Sequence, residues 1–271
     1  MASSVCDNAT SFLISADTPF AGVFTITLNK PEKHNAFDEV MISELISTLH
    51  YVAKQSDIRI VCLQANGKSF CSGADLNWMK RMSTFSRNEN FADANKLSEL
   101  MQTLVELPQP TVAIVQGNAF GGGVGLVACC DIVIASDIAQ FCLAEVKLGL
   151  IPAVISPYIV DAIGMRHAKR YMLTAEMIST EVAKQLGLIH KIVPLDNINN
   201  IRDEMLKVLI ANGPQALKAV KECCAEINNV NDEALRQKLV QKIAKIRVSS
   251  EAQEGMQAFF AKRKPKWNDH V

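Results

Sequence analysis

The apolar positions of the first 195 residues switch repeatedly between the spacing of strands and that of helices. Short β-branched runs such as IRIVCLQA, TVAIVQG and DIVIAS are typical of buried strands. The segment SFLISADTPFAGVFTITLNKP predicts a hairpin that turns near Pro19 and Gly22. QFCLAE and HKIVP predict two further strands. Together these segments predict a mixed α/β core.

Helical patterns lie between the predicted strands. In DEVMISELISTLHYVAKQ one face carries Ile42, Leu45, Ile46, Leu49 and Val52. A second helix is predicted to begin near Asp75. A third is marked by Phe91, Ala94, Leu97, Met101 and Leu104, and prolines at 108 and 110 stop it. SPYIVDAIG, HAKRYMLT and residues 181–186 predict further helices.

The pattern changes after Pro194. From Asp196 to Phe260 every periodic segment is helical, with a break at Gly213 and Pro214. We therefore expect two parts, an α/β core in residues 1–195 and a helical region in residues 196–271.

Composition narrows the classes of function. The 271 residues include 28 Lys and Arg and 28 Asp and Glu, a balance that argues against a broad nucleic-acid surface. No apolar run approaches the roughly 20 residues of a membrane span. The first residues, MASSVCDNATSF, lack the pattern of a secretion or transit signal, so we expect a cytoplasmic protein. Eight cysteines without a C-x-x-C pair, and only five histidines, predict buried free thiols and no metal site.

Familiar nucleotide motifs are absent. NGKS at residues 66–69 resembles the end of a P-loop, but the first glycine of that motif would fall on Cys62. A dinucleotide motif counted from Gly121 or Gly123 needs a third glycine where Leu126 or Ala128 stands. No G-x-S-x-G elbow occurs. We therefore expect no nucleotide cofactor.

Two glycine-bearing turns, SGADL and FGGGVGL, each follow a buried strand and lead into a helix. Helix N-termini expose unpaired N–H groups with partial positive charge. Two such turns side by side could offer two amides to one carbonyl oxygen, which is an oxyanion hole. The same glycines also fit a purely structural role in tight turns or close helix–strand packing.

Seven segments occur in the order and spacing of the crotonase (enoyl-CoA hydratase/isomerase) superfamily, which the chain resembles over nearly its whole length. They are LNKPEKHNAF, FCSGADL, QGNAFGGGVGL, CDIVIAS, FCLAEVKLGLIP, RYMLTAEMISTEVAKQLGLIHKIVP and FFAKRKPKW. The resemblance implies a spiral of ββα turns with a helical C-terminal region. It also implies assembly into trimers or dimers of trimers, with residues 196–271 as the oligomerisation region.

The same resemblance assigns a site for an acyl-CoA substrate, with no separate cofactor. It implies that the amides of Ala74 and Gly122 form the oxyanion hole and that Gly121 shapes the turn. The residues implied to contact coenzyme A are His34, Ala36, Asp75, Leu76, Asn77 and Lys262. Lys262 would meet a phosphate, within its own subunit or across a subunit boundary. A solvated basic tail explains AKRKPK equally well.

Only one of the two acids of the two-glutamate hydratases is present. The first position is Gly125 and the second is Glu145. A single carboxyl group can take a proton from water and return it to Cα, or it can shuttle a proton between two carbons in an isomerisation. Either reaction predicts a raised pKa in a partly dry pocket. The structural alternative is that Glu145 pairs with Lys147 or Arg166.

GADLNWMKRM, AFGGGVGLVACCD and FCLAEVKLGLIPAVISPYIV resemble the branch of bacterial methylglutaconyl-CoA and carboxygeranoyl-CoA hydratases. The resemblance to that branch implies hydration of a β-methyl-branched enoyl-CoA with a distal carboxylate. Such substrates occur in leucine or acyclic terpene breakdown, and the superfamily as a whole implies a role in fatty acid metabolism. Arg81, Lys80 and Lys147 are candidates for that carboxylate, and Asn118 or a serine for assisting the water. An enoyl-CoA isomerase is the alternative, and an RNA-binding homologue the third. The neutral charge argues against RNA.

Overall fold

The computed structural model describes residues 13–16, 20–227 and 232–268, the first of these segments by its backbone alone. In this part of the chain the ten strands are β1 (Leu13–Ala16), β2 (Val23–Leu28), β3 (Ile60–Ala65), β4 (Ser69–Cys71), β5 (Thr111–Val115), β6 (Asn118–Phe120), β7 (Ile132–Ser136), β8 (Gln140–Cys142), β9 (Ile178–Ser179) and β10 (Lys191–Val193). The ten α-helices are α1 (Glu39–Ala53), α2 (Leu76–Met82), α3 (Arg87–Val105), α4 (Gly122–Ala128), α5 (Ser156–Thr174), α6 (Thr180–Leu186), α7 (Ile198–Ile210), α8 (Pro214–Glu226), α9 (Glu233–Arg247) and α10 (Ser250–Phe260).

The strands form two sheets. The larger has the order β1-β2-β3-β5-β7-β10, and all its neighbours are parallel except the hairpin β1–β2. The smaller has the order β4-β6-β8-β9, with β9 antiparallel to β8. The predicted hairpin and the α/β class are confirmed. Gly22 has a φ of +83°, whereas Pro19 lies outside the described residues.

Both faces of the larger sheet are covered, as its β-branched runs predict. One face packs on a large core that includes Leu45 and Leu49 of α1 and Leu100 of α3. The other face, with Ile60 and Val112, packs on Leu206 and Ile210 of α7 and their neighbours. The larger sheet therefore lies between two apolar cores.

Local signals explain where the helices begin. Asp38 caps α1 by accepting a hydrogen bond from the amide of Met41, and Ser86 opens α3 with a capping box. The exposed start of α3 differs from the prediction, because Phe91 is 70% exposed and only the second half of the helix reaches the core. At Gly164, with a φ of +76°, α5 is kinked.

After β10 the described residues form only helices, in agreement with the change of pattern after Pro194. Arg59 ties this region to the sheets by donating to the carbonyl oxygens of Trp267, Ile210 and Asn212. The division of the chain into two parts at residue 195 stays a prediction. Within the described segments, none of the helices combines the length and the apolar character that crossing a bilayer requires.

Candidate active site

Three neighbouring strands of the smaller sheet end at the same place. Strands β4, β6 and β8 are parallel, so their carboxyl ends meet at one edge of the sheet. β4 leads into Gly73 and Ala74, β6 into Gly121 and Gly122, and β8 into Glu145. The pairing of short strands therefore brings together segments that are far apart in the sequence.

The three segments are in close contact. A β-carbon added at Gly121 would lie 3.0 Å from Oε1 of Glu145 and 4.0 Å from Cα of Gly73. One added at Gly73 would lie 3.3 Å from the carbonyl oxygen of Phe120. Both glycines also have positive φ angles, +90° at Gly73 and +49° at Gly121. Only glycine suits both the backbone and the space at these two positions.

In the part of the chain that the structure describes, the amides of Ala74 and Gly122 have no acceptor. The Phe37 amide donates to the oxygen of Gly73, and the Asp75 amide donates to the oxygen of Phe37, each at 2.7 Å. Ala74 lies between these two bonds, and within the described residues its own amide donates none. Nor does that of Gly122, which is the first residue of α4 and has no intrahelical acceptor. Two donors that have no acceptor among the described residues thus lie at the edge where the loops meet.

Glu145 begins a short 3₁₀ turn, Glu145–Leu148, directly after β8. Its burial raises the pKa of the carboxyl group. Oε2 is buried without a hydrogen-bond partner in the described structure, and no ion pair joins the carboxylate to Lys147 or Arg166 there. The structural alternative considered for Glu145 therefore finds no support in its contacts. A buried carboxyl group with a raised pKa is suited to exchange protons near neutral pH.

The space beside Gly125 is filled. A β-carbon added there would lie 2.4 Å from Cγ2 of Ile155 and 3.2 Å from Cε of Met101. Both neighbours are buried. A second carboxylate cannot be carried at this position without moving them, so α4 brings no acid to this edge beside Glu145.

Five of the six residues implied to contact coenzyme A lie in two neighbouring segments of the chain, 34–36 and 75–77. His34 is exposed, with a φ of +53°, and its Nδ1 lies 3.1 Å from Oγ of Ser69. Ala36 is buried. Leu76 and Asn77 are exposed at the start of α2.

Asp75 has structural partners. Its carboxylate accepts from the amides of Asn77 and Trp78 at the start of α2 and pairs with Lys33 at 3.0 Å. Burial alone would raise the pKa of Asp75, but the hydrogen bonds from Lys33 and the two amides outweigh it, and the pKa is lowered. The carboxylate thus stabilises the loop that carries the Ala74 amide.

Among the described residues, the side chains of the other basic candidates make no hydrogen bond or ion pair with the residues of this edge. Lys262 is exposed after the end of α10, with a φ of +52°. Arg81 pairs with Glu39 at 2.5 Å. Lys80 and Lys147 are exposed.

Metal ligands and reactive thiols are the other groups that could carry chemistry. In residues 13–16, 20–227 and 232–268, no three His, Cys, Asp or Glu side chains are placed to hold a metal ion. The cysteines described there are free thiols, buried except for Cys223 and Cys224. Burial raises the pKa of Cys71, the one in β4, to about 12, which makes it a poor nucleophile.

The sequence patterns did not identify two residues that shape the site. Phe37 contacts both amide-bearing loops, and Ile155 fills the space at Gly125. The sequence marks Phe37 only as an apolar residue just before a helix cap, and no local spacing relates it to Gly122.

The profile of the enoyl-CoA hydratase/isomerase family matches residues 19–270. The chain belongs to this family. A crystal structure of an enoyl-CoA hydratase from Shewanella pealeana is 46% identical, covers 95% of this chain and 96% of that one, and superposes with a TM-score of 0.90. The predicted crotonase-like fold is thereby confirmed, and the chain is an enzyme of this family.

The family's named members include hydratases and isomerases. Enoyl-CoA hydratase AFT6-1 from Alternaria alternata is 34% identical over 259 residues, which covers 90% of this chain and 80% of that protein. The 1,2-epoxyphenylacetyl-CoA isomerase of Escherichia coli is 30% identical over 250 residues, covering 91% and 95%. Family membership therefore defines the enzyme class but leaves the choice between these reactions to the site.

Proposed function

We propose that this enzyme adds water across the 2,3 double bond of an enoyl-CoA thioester. The amides of Ala74 and Gly122 bind the thioester oxygen, and Glu145 is the single acid–base group. The observation that carries the proposal is the meeting of two amides and the Glu145 carboxyl group around Gly121. Among the described residues the two amides donate no hydrogen bond, and the buried Oε2 of Glu145 has no partner.

The chemistry needs only these groups and a water molecule. The Glu145 carboxylate takes a proton from water as the water oxygen bonds to C3, and the electron pair of the double bond moves toward the thioester oxygen. The two amides stabilise the resulting enolate, an effect worth roughly 3–4 kcal/mol for each donor. Glu145, now protonated, returns the proton to C2. A raised pKa lets one carboxyl group serve first as base and then as acid.

The coenzyme A part of the substrate would lie along the two loops beside the amides. His34 and Ala36 would contact the nucleotide, and Asp75, Leu76 and Asn77 would line the pantetheine path. The exposure of His34, Leu76 and Asn77 supports this placement. Asp75 would contribute through its backbone, because its carboxylate caps α2. Coenzyme A enters as part of the substrate, so no other cofactor is invoked.

For the acyl group we propose a β-methyl-branched glutaconyl- or carboxygeranoyl-type chain with a distal carboxylate. The support is the sequence of the loops around Gly125 and Glu145, where the filled space beside Gly125 fits a site with one acid. Lys147 is exposed in the same turn as Glu145, and among the described residues its side chain makes no ion pair, so it is available to the distal carboxylate.

The test is the loss of enoyl-thioester absorbance with methylglutaconyl-CoA, compared with crotonyl-CoA. Glu145→Gln should bind either ester with unchanged affinity but lower turnover by about 10²- to 10⁴-fold, as loss of an acid–base group does. Lys184→Gln on the exposed face of α6 is the matched control and should keep parental turnover. Parental turnover in Glu145→Gln would show that another group transfers the proton.

Isomerisation is the second candidate, because one carboxyl group also suffices to move a proton between two carbons. The isomerase among the relatives supports it. An incubation in H₂¹⁸O with a 3-enoyl-CoA as substrate distinguishes hydration from isomerisation. Conversion to the 2-enoyl ester without ¹⁸O in any product, together with no hydration of 2-enoyl esters, would replace the hydratase proposal by the isomerase.

A further inference from the structure

Phe37 contacts both of the loops that carry the proposed oxyanion donors. It lies just before α1 and is 2% exposed. Its main chain pairs with the loop of Ala74, and its ring lies against Gly122. One residue therefore bridges two amides that belong to different strands of the smaller sheet.

The main-chain half of this contact orients the Ala74 amide. Phe37 and Ala74 form a parallel bridge, in which Phe37 bonds to the residues on either side of Ala74. In an extended chain successive N–H groups point in opposite directions. The Asp75 amide points toward Phe37, so the Ala74 amide faces away from the main chain of Phe37 and is free for a ligand.

The ring half limits the position of Gly122. A β-carbon added at Gly122 would lie 2.9 Å from Cε2 and 3.1 Å from Cδ2 of Phe37. The ring therefore rests directly on the Cα of Gly122, with no side chain between them. A close-packed aromatic ring resists compression, so it sets how near the α4 terminus approaches the Ala74 loop.

The neighbours of Phe37 are anchored on both sides. Asn35, fully buried, accepts from the amide of Lys30 and donates to the carbonyl oxygens of Asn66 and Ser69, each at 2.8 Å. Asp38 caps α1 and pairs with the Lys30 ammonium group at 2.5 Å. Since both flanks are tied to the core, the backbone of Phe37 is a fixed reference for the two loops.

We propose that Phe37 is a positioning residue that sets the separation of the Ala74 and Gly122 amides. The inference rests on the proposed function, because it assigns the geometry of the same oxyanion hole. A shorter side chain would leave the fold in place but let the Gly122 amide move relative to the Ala74 amide. Misplacement affects the developing oxyanion more than the bound ester.

The experiment uses butyryl-CoA labelled with ¹³C at the thioester carbonyl, a saturated ester that cannot be hydrated. In the parent, binding should lower the infrared carbonyl frequency, because two donors polarise the bond. In Phe37→Leu, roughly half or more of that shift should disappear. Leu49→Ala, which removes buried volume from α1 away from both loops, is the control for lost stability and should retain the full shift.

Kinetics and a double substitution give independent readouts. Phe37→Leu should lower kcat about 10- to 100-fold while KM stays within about threefold. Gly122→Ala should be less harmful in the Phe37→Leu background than in the parent, since the smaller side chain accommodates the added methyl group. Should Phe37→Leu fold poorly, Phe37→Met serves with the same expectations.

The outcomes separate this inference from the proposed function. A full carbonyl shift in a folded Phe37→Leu, or equal effects of Gly122→Ala in both backgrounds, would overturn the positioning role and leave the hydratase proposal standing. No shift in the parent would overturn both, because the two amides would then not bind the carbonyl. A parental shift that Phe37→Leu loses supports the positioning role even if the parent hydrates no tested ester.

Discussion

The burial of the Glu145 carboxyl group favours the proposed proton transfer but reduces the stability of the folded protein. The residue is half-buried, and its Oε2 is buried without a partner among the described residues. A buried, unpaired carboxylate opposes folding at neutral pH, and the raised pKa is the signature of that penalty. The penalty is consistent with a group retained for proton transfer rather than for structure.

Glu145→Gln should therefore make the folded protein more stable at neutral pH. The folded pKa of Glu145 lies above the unfolded value of 4.5, so the parent gains stability as the pH falls through the folded pKa. The advantage of the variant should shrink over that window and vanish below the unfolded pKa. Urea denaturation between neutral and acidic pH measures this difference.

Glu181→Gln is the matched control for that experiment. A hydrogen bond from its own backbone amide, and one with Ser179, lower the pKa of Glu181 at the exposed start of α6. This substitution should give no gain in stability at neutral pH. Glu145→Gln could instead leave the free energy of unfolding at neutral pH unchanged, or lower it. Either result would mean that the carboxylate has a partner in the folded protein that offsets its burial.

How far the site could be predicted differs from residue to residue. Glu145, Ala74 and Gly122 follow from motifs whose residues are contiguous in the chain, and the structure brings their segments together. The contact of Phe37 with Gly122 and that of Ile155 with Gly125 are set by packing between distant segments. No periodicity in one sequence encodes which apolar side chain will fill which gap.

At the scale of elements, α4 is an unusual helix because glycine is required at positions where alanine would normally be better. An Ala in place of Gly stabilises an ordinary helix interior by about 1 kcal/mol. Here the β-carbon would meet the oxygen of Cys71 at 2.6 Å from position 123 and Ile155 from position 125. The glycines let this short helix pack tightly against β4 and α5.

Gly125→Ala should consequently destabilise the protein by about 1–3 kcal/mol, as overpacking of a core does. In an Ile155→Ala background, Gly125→Ala should reduce the free energy of unfolding by less. The reason is that Cγ2 of Ile155, which the added methyl group would meet, is no longer present. The cycle of four proteins is measured by urea denaturation. Additive effects would mean that Ile155 does not fill the space beside Gly125.

The elements themselves were predictable in proportion to their length. The stripe of α1 shows a helical period, and the runs of β3 and β5 are long enough to mark buried strands. All three formed as predicted. β4 and β6 have three residues each and show no such pattern, yet these two strands bring the glycine turns together. In α3 the helix was predicted but not the exposure of Phe91, because the apolar stripe extends beyond the core it packs on.

At the scale of the whole molecule, the end of α10 is a surface that a single chain leaves uncovered. Phe259 and Phe260 are each 78% exposed, and their rings are 5.9 Å apart. Exposed, contiguous apolar side chains mark contact surfaces. We propose that the trimer or dimer of trimers implied by the family resemblance covers these two side chains. Lys262, which follows directly, would then lie at a subunit boundary.

Replacing Phe259 and Phe260 by serine should therefore reduce the mass of the assembly in sedimentation velocity, with the circular dichroism of the fold retained. If a partner's Lys262 meets the nucleotide phosphates, this double variant should also raise KM for a CoA ester. KM for the corresponding pantetheine ester, which lacks the nucleotide, should be unchanged.

Lys262→Ala tests the contact without disturbing the assembly. The substitution should raise KM for the CoA ester about tenfold and leave KM for the pantetheine ester unchanged. A tenfold change corresponds to about 1.4 kcal/mol, which is the size expected for the loss of one phosphate contact. Lys264→Ala, in the same basic segment, is the control and should leave both KM values unchanged. An equal effect of the two lysine variants would indicate a diffuse attraction by the basic tail, and parental kinetics in Lys262→Ala would remove this lysine from the substrate site. A raised KM in Lys262→Ala but not in the serine double variant would place the contact within one subunit.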